Sequence, residues 1–438
     1  MTALFLRFTL FFSVVVPLLC SCQAQQKSSK RQPNIVLIMA DDLGFEALSV
    51  YGGESYETPR LSQLAEEGML FENCYSTPLC TPSRVQIMTG KYNFRNYMAF
   101  GMLPRGETTF GHLMKEAGYR TGIVGKWQLY GNPHQRELFD TVGTRPQAAG
   151  FDEYCLWQIE ERGLRFKNPY LEMTDRPLQT YDGAYGPDLF TDYAVDFIER
   201  HRDTSFFLYF PMTLVHDPFQ PTPAQEAFEE FDPESGVNDT TYFAPMMTYM
   251  DRLVGRIVDQ IEASGLQENT LLLFIGDNGT DRDVVSTWQD QRIRGDKGHP
   301  TEFGTHVPMI ARWPGTISPG ARNANLVDFT DFLPTLLDAA GHPLPDSLVT
   351  DGISFYPLLL QQEDAPTRDW VFCHYAPRWG RFEPARYVHD HRWKLYEDGR
   401  FYDLQNDLME ERPLSLEDLP KEGRKAWDNF EGVLERMR

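Results

Sequence analysis

Two short apolar runs far apart in the chain end in the same way, and this most narrows what the chain can fold into. Residues 34–39, rich in Ile and Val, lead into Asp41-Asp42, and residues 270–275 lead into Gly276-Asp277-Asn278-Gly279. Runs that are apolar at nearly every position, not at alternate ones, belong to strands buried on both faces, as in a parallel sheet covered by helices. Carboxylates just past such strands gather at one sheet edge, where open α/β sheets bind ligands. Further strands are expected at 120–124 and 206–210. Helices are expected at 58–68, 81–88, 108–117, 188–201, 241–264 and 328–340, the first with Thr58 as N-cap and Pro59 as first residue. This alternation indicates an α/β fold, a large doubly wound mixed sheet with helices on both faces. After Gly352, short strand-like segments at 369–375, 386–389, 393–396 and 400–404 precede a charged helix at 417–437. They read as a smaller C-terminal antiparallel α+β subdomain. Residues 130–187 lack periodicity and are rich in aromatics, Gly and Pro, the character of loops that shape binding sites.

A length of 438 residues predicts one large and one small domain, placed at 33–350 and 351–438. With 63 acidic and 41 basic residues the formal charge is −22, which argues against non-specific nucleic-acid binding. It also repels anions at long range, so an anion site has to be locally basic. Residues 1–24 read as an export signal, with Arg7 early and an apolar run at 11–19 too short to span a membrane. Leu19-Cys20-Ser21-Cys22 resembles a bacterial lipobox with Cys22 as the lipidated residue, and 25–32 reads as a polar tether. Cysteine is unusual at the second lipobox position, so ordinary signal-peptidase cleavage stays open. The expectation is an exported protein, periplasmic or at the cell surface, lipid-anchored through Cys22 or fully secreted. Beyond the signal remain Cys74, Cys80, Cys155 and Cys373, without a C-x-x-C pair. That is neither a disulfide framework nor a structural zinc site.

Asp41, Asp42, Asp277 and Asn278 are hard oxygen donors suited to Ca²⁺ or Mg²⁺, and such clusters repel each other unless a cation lies between them. Cys80 directly precedes a helix whose N-terminus favours an anion. Read alone, Cys80 is equally a buried structural thiol or half of a bridge to Cys74. Arg84, one turn into that helix, can hold the nucleophile by hydrogen bonding. Lys126 and His216 fall shortly after apolar strands.

Together these motifs resemble the sulfatase family, of the arylsulfatase type within the alkaline-phosphatase-like superfamily. The matching pieces are residues 34–42, Cys80-Thr81-Pro82-Ser83-Arg84 followed by Thr89-Gly90, Gly125-Lys126-Trp127, Val215-His216, Gly276-Asp277-Asn278-Gly279, Lys297-Gly298 and, in the tail, Trp393-Lys394-Leu395 and Phe401-Tyr402-Asp403-Leu404. The resemblance spans about residues 34–404. It implies that a formylglycine-generating enzyme or radical maturase oxidises Cys80 to formylglycine. It further implies that Asp41, Asp42, Asp277 and Asn278, with an oxygen of residue 80, bind one divalent cation, usually Ca²⁺. A hydroxyl of the hydrated aldehyde would attack sulfur, Lys126 and Lys297 would neutralise the sulfate, and His216 would protonate the leaving alcohol.

The chain departs from the family pattern at Gln128, where many members carry His; Gln cannot accept a proton at neutral pH. The expectation is that Gln128 positions residue 80 while another group takes the proton. Phe303 and His306 replace a frequent Gly and Arg, differences expected to serve substrate shape or loop packing. His299, and Arg378 in the basic and aromatic segment 374–381, are candidate substrate contacts. The reading is hydrolysis of sulfate esters on sulfated carbohydrate. The alternatives are a phosphate or phosphonate ester hydrolase of the same superfamily and a non-catalytic sulfated-glycan-binding protein.

Overall fold

Every residue of the first strand, β1 (Asn34–Ala40), is buried, because its side chains feed two cores at once. Val36, Ile38 and Ala40 join one apolar cluster with side chains from the helices Pro59–Glu66, Gly186–Arg200 and Phe243–Ala263. Ile35, Leu37 and Met39 join another with side chains from Cys80–Thr89, Phe110–Glu116 and Phe332–Ala339. Successive strand residues point to opposite faces, so a strand at the centre of this layering is apolar throughout.

The computed structural model describes Met1, Leu4 and residues 31–380 and 382–438. Most of the expected export signal, Cys22, residues 25–30 of the tether and Arg381 lie outside the described residues. Among the described residues no helix is long and apolar enough to cross a membrane.

In chain order β1 is followed by β2 (Met69–Tyr75), β3 (Arg120–Lys126), β4 (Glu153–Trp157), β5 (Tyr170–Met173), β6 (Arg176–Thr180), β7 (Phe206–Pro211), β8 (Thr270–Gly276), β9 (Val285–Trp288), β10 (Gln291–Arg294), β11 (His306–Arg312) and β12 (Ala321–Asp328). β9 and β10 pair as a hairpin. The others form one ten-stranded sheet in the order β12-β2-β11-β8-β1-β7-β3-β4-β5-β6. Its centre, β8-β1-β7-β3-β4, is parallel, while β11 runs antiparallel to β8 and β2 and β5 and β6 add an antiparallel edge. The fold is thus the large mixed α/β sheet expected, followed by a four-stranded antiparallel sheet of β13 (Val371–Tyr375), β14 (Ala385–His389), β15 (Trp393–Tyr396) and β16 (Phe401–Asp403).

The helix Lys421–Arg436 covers the small sheet through Phe430 and Val433, which pack with Val388, Trp393 and Phe401. Tyr375, Tyr387 and Tyr396 instead cluster with Leu79 and Cys80. The small sheet thereby backs the start of the Cys80 helix. Residues Gln32–Arg438 form one compact unit, within which the segments 33–350 and 351–438 both lie.

Several elements differ from expectation. The strand expected at 120–124 runs on to Lys126. Gly125 makes this continuation fit, since it has φ +119° and a Cβ there would sit 2.0 Å from the Pro211 carbonyl oxygen. Residues 130–187 hold β4, β5 and β6 as well as loops. Thr58 stands at the N-cap of Pro59–Glu66, but its side chain makes no capping bond. The helix expected from 328 begins at Phe332, after a single 3₁₀ turn at Phe329–Asp331 capped by Asp328.

Candidate active site

β1 and β8 pair in parallel with Ala40 opposite Gly276, so their next residues meet beyond the same sheet edge. The Asp42 N–H donates to Asp277 Oδ1 at 3.0 Å, and Asn278 Nδ2 donates to Asp42 Oδ1 at 2.9 Å. Asp41, Asp42, Asp277 and Asn278 are all fully buried. Burial, and then the Asp41 charge, raises the Asp277 carboxyl above its ordinary range. Burial alone would raise Asp41 as well, but the charges of Lys126, His216 and Arg84 hold it low. Asn278 Oδ1 is buried without a hydrogen-bond partner. Three crowded carboxylates beside an orphaned amide oxygen form a donor set that fits a hard divalent cation.

Cys80 is the first residue of the helix Cys80–Thr89, with Leu79 in extended conformation before it. Its side chain therefore sits among unpaired backbone N–H groups at the positive end of the helix dipole. The thiol donates to Gln128 Oε1 at 3.4 Å, and burial pushes its pKa up. Cys74, Cys80, Cys155 and Cys373 are all free thiols, so there is no Cys74–Cys80 bridge. Arg84 does not bond the thiol. It donates to Asp277 Oδ2 at 3.1 Å and to the Lys126 carbonyl at 3.2 Å, and lies 3.6 Å from Asp41. The reason is geometric: four residues into the helix, its long side chain reaches past Cys80 to the ends of β3 and β8.

Two lysines converge from opposite sides. Lys126, at the end of β3, donates to both Asp41 oxygens at 2.8 Å. Lys297 contacts Asp42 and lies 3.2 Å from His216 Nε2. Burial would lower the Lys297 pKa, but the negative charges of Asp42 and Asp217 raise it. His216 Nδ1 lies 2.7 Å from both the carboxylate and the carbonyl of Asp217. With a proton on Nδ1, as these acceptors require, Nε2 faces Lys297 and Asp42.

A cavity of about 500 Å³ opens over Cys80, Gln128, His216 and Lys297. Its mouth carries Trp157, Phe382, and Trp379 stacked on Phe100 at 4.9 Å, with Arg162, Arg165 and Arg282 among them. Neither Arg378 nor His299 lines this cavity. Arg378, at φ +51°, turns away to donate to the Met98 carbonyl at 2.9 Å. His299 lies against Asp296 and Phe382. Among the described residues of the segment 374–381, it is Trp379 that reaches the cavity. His306 is buried between Glu302 and the Glu72 carbonyl and stacks on Phe45 at 4.0 Å, so its part is packing. Sequence reasoning missed Asp217, Gln158, Arg162 and Arg165. Asp217 had a signal, since it adjoins His216; the others lie in a segment flagged only as a whole.

Lysines beside crowded carboxylates, at the carboxyl ends of parallel strands, make an arrangement whose chemistry suits a tetrahedral oxyanion such as sulfate or phosphate. Similarity to known proteins narrows the class. The chain belongs to the sulfatase family: the family model described as Sulfatase matches residues 33–342, and that described as N-sulphoglucosamine sulphohydrolase, C-terminal, matches 292–423. The chain is 34% identical over 368 residues to an arylsulfatase of Hemicentrotus pulcherrimus, covering 78% of this chain and 64% of that one. It is 31% identical over 384 residues to the N-acetylgalactosamine-6-sulfatase of Rattus norvegicus, covering 80% and 70%. Among solved structures, Ps i-CgsB in complex with k-i-k-neocarrahexaose superposes with a TM-score of 0.75 at 23% identity, over 93% of this chain and 92% of that one.

Proposed function

We propose that this protein hydrolyses sulfate esters of carbohydrates, with residue 80 carried as formylglycine and one divalent cation, Ca²⁺ or Mg²⁺, held by Asp41, Asp42, Asp277 and Asn278. The observation that carries this reading is Cys80 at a helix N-terminus on the floor of a cavity shared with Lys297 and His216. When present, the cation supplies Lewis acidity and the hydrated aldehyde a nucleophilic hydroxyl.

The chain's own residues do the rest. Lys126 and Lys297 offset charge on the sulfate oxygens as it builds up. His216, fixed by Asp217 through Nδ1, presents Nε2 to the leaving oxygen, to which the doubly protonated ring would give the Nε2 proton. Arg84 ties Asp277 to the end of β3 and so keeps the two strand ends together. Gln128 accepts a hydrogen bond from residue 80 and holds it in place, but takes no proton at neutral pH. The aromatic rim offers faces on which a sugar ring can stack. The relative named for a sugar sulfate supports carbohydrate over small aryl esters. Export to the periplasm or cell surface, with a lipid on Cys22, and maturation by a formylglycine-generating enzyme or radical maturase complete the proposal.

The test is the mass of the tryptic peptide 61–84 from protein made together with a maturase, followed by turnover of 4-nitrophenyl sulfate and of sulfated saccharides. An aldehyde or its hydrate at residue 80, with sulfate released, is the expected result. An intact thiol in active protein would require another nucleophile. Gln128 beside Cys80 favours one second reading: matured protein that binds sulfated saccharides without releasing sulfate would be a glycan receptor.

A further inference from the structure

Arg165 is buried without an ion pair among the described residues. It is 5% exposed, its guanidinium lies 4.6 Å from the Trp157 ring centre and 5.5 Å from that of Phe166, and it donates to a neutral acceptor, the Asp217 carbonyl. Among the described residues no carboxylate forms an ion pair with it; the Asp217 carboxylate, paired with His216, acts on it by charge without contact, and Asp41 and Asp42 act more weakly. Arg162 lines the same cavity and, among the described residues, has neither a hydrogen bond nor an ion pair. Burial lowers the pKa of Arg165 although the Asp217 charge opposes this, and the like charge of Arg162 adds to the lowering. Buried charges are ordinarily paired, and a chain of net charge −22 has carboxylates to spare. On the same wall Gln158 is 3% exposed, and its Oε1 has no hydrogen-bond partner.

The position of the pair says which part of a substrate it meets. Arg165 is tethered to the residue after His216 and so stands on the side of the leaving oxygen, whereas Lys126 and Lys297 stand over the carboxylate cluster where the reacting sulfate lies. Arg282, also at the cavity, is offset by Asp296 at 3.6 Å and by neighbouring Asp281 and Asp283. A second hollow of about 410 Å³ shares Trp157, Arg162 and Arg165 with the first, leaving room for a chain of sugars to run past them. We propose that Arg162, Arg165 and Gln158 form a subsite for a second anionic substituent, a carboxylate or another sulfate, on the saccharide that leaves. The substrate is then an acidic or multiply sulfated glycan, not a neutral sugar with a single sulfate. This rests on the sulfatase reading above.

The experiment compares monosulfated N-acetylhexosamines, their disulfated forms and monosulfated disaccharides carrying a uronate, with 4-nitrophenyl sulfate as the reference for chemistry. It reads kcat/KM of the matured enzyme and, by calorimetry, binding to the Cys80→Ala protein, which needs no turnover. A second charge is expected to raise kcat/KM and affinity at least ~10-fold, an advantage that fades with added salt. Arg162→Glu, at an exposed position, should bring the ratio of doubly to singly charged probes to about one or below, and Arg162→Lys should keep part of it. Preference for the disulfated or the uronate probes identifies the anion. Equal kcat/KM and affinity for singly and doubly charged probes, or a ratio unmoved by Arg162→Glu, overturns the subsite. Charge-selective binding by converted protein that turns over no probe keeps the subsite and overturns the sulfatase reading instead.

Discussion

At the scale of single residues, the site depends on side chains that hold other side chains. Asp217 does not itself line the cavity, yet its carboxylate fixes the ring from which a proton would leave. Burial alone would raise its carboxyl, but the charge and hydrogen bond of His216 hold it well below the ordinary range. Asp217→Asn is expected to lower kcat/KM about 10²-fold on alkyl or saccharide sulfates, whose leaving groups need a proton, and far less on 4-nitrophenyl sulfate, whose leaving group does not. A uniform loss on both would make Asp217 merely structural. The acidic strand-end and lysine positions were legible because strand ends and short motifs mark them. Arg162 and Arg165 were not, because an arginine in an aperiodic stretch looks like any solvated charge until β4 is seen to aim it at the cavity.

At the scale of elements, β11 and β14 carry a buried polar network behind the site. Burial drives the His389 pKa down to about 3 from 6.5. Burial alone would raise Glu302, but its hydrogen bond from His306 and the charges of His306, His389 and Lys394 hold it near 2, against 4.5 unperturbed. In both cases the unfolded chain binds the proton more readily than the native one. Stability therefore rises with pH between about 3 and 6.5 for His389, and between about 2 and 4.5 for Glu302. The urea midpoint is expected to be lower at about pH 5 than at about pH 7.5, and His389→Gln should shrink that difference. An unchanged difference would assign the slope to other groups. The partner strand β11 escaped the sequence reading for a physical reason. It contains Pro308 and a bulge between Val307 and Met309, and proline within a run argues against a strand unless tertiary pairing accommodates it.

At the scale of the whole molecule, a chain of net charge −22 buries three carboxylates at one point of its largest sheet. Lys126, Lys297 and Arg84 contact them, and a cation would take the remaining carboxylate lone pairs together with the unpartnered Asn278 Oδ1. Millimolar Ca²⁺ is therefore expected to raise the thermal midpoint by a few degrees, since binding at a hundredfold excess over Kd contributes about 2.7 kcal/mol. Chelator should reverse the shift and Asp42→Asn should remove most of it; a shift equally large in that variant would place the ion elsewhere. The sequence by itself determined the α/β class, the two acidic strand ends, Cys80 at a helix start and the family, because apolar periodicity and short-range spacing are local properties of a chain. Only the tertiary structure decided what Arg84 holds, that Asp217 orients His216, that Trp379 and not Arg378 reaches the cavity, and that Arg162 and Arg165 stand there with no ion pair among the described residues. Those outcomes depend on which distant segments the ten-stranded sheet brings together and on which side-chain charges the burial then leaves unpaired.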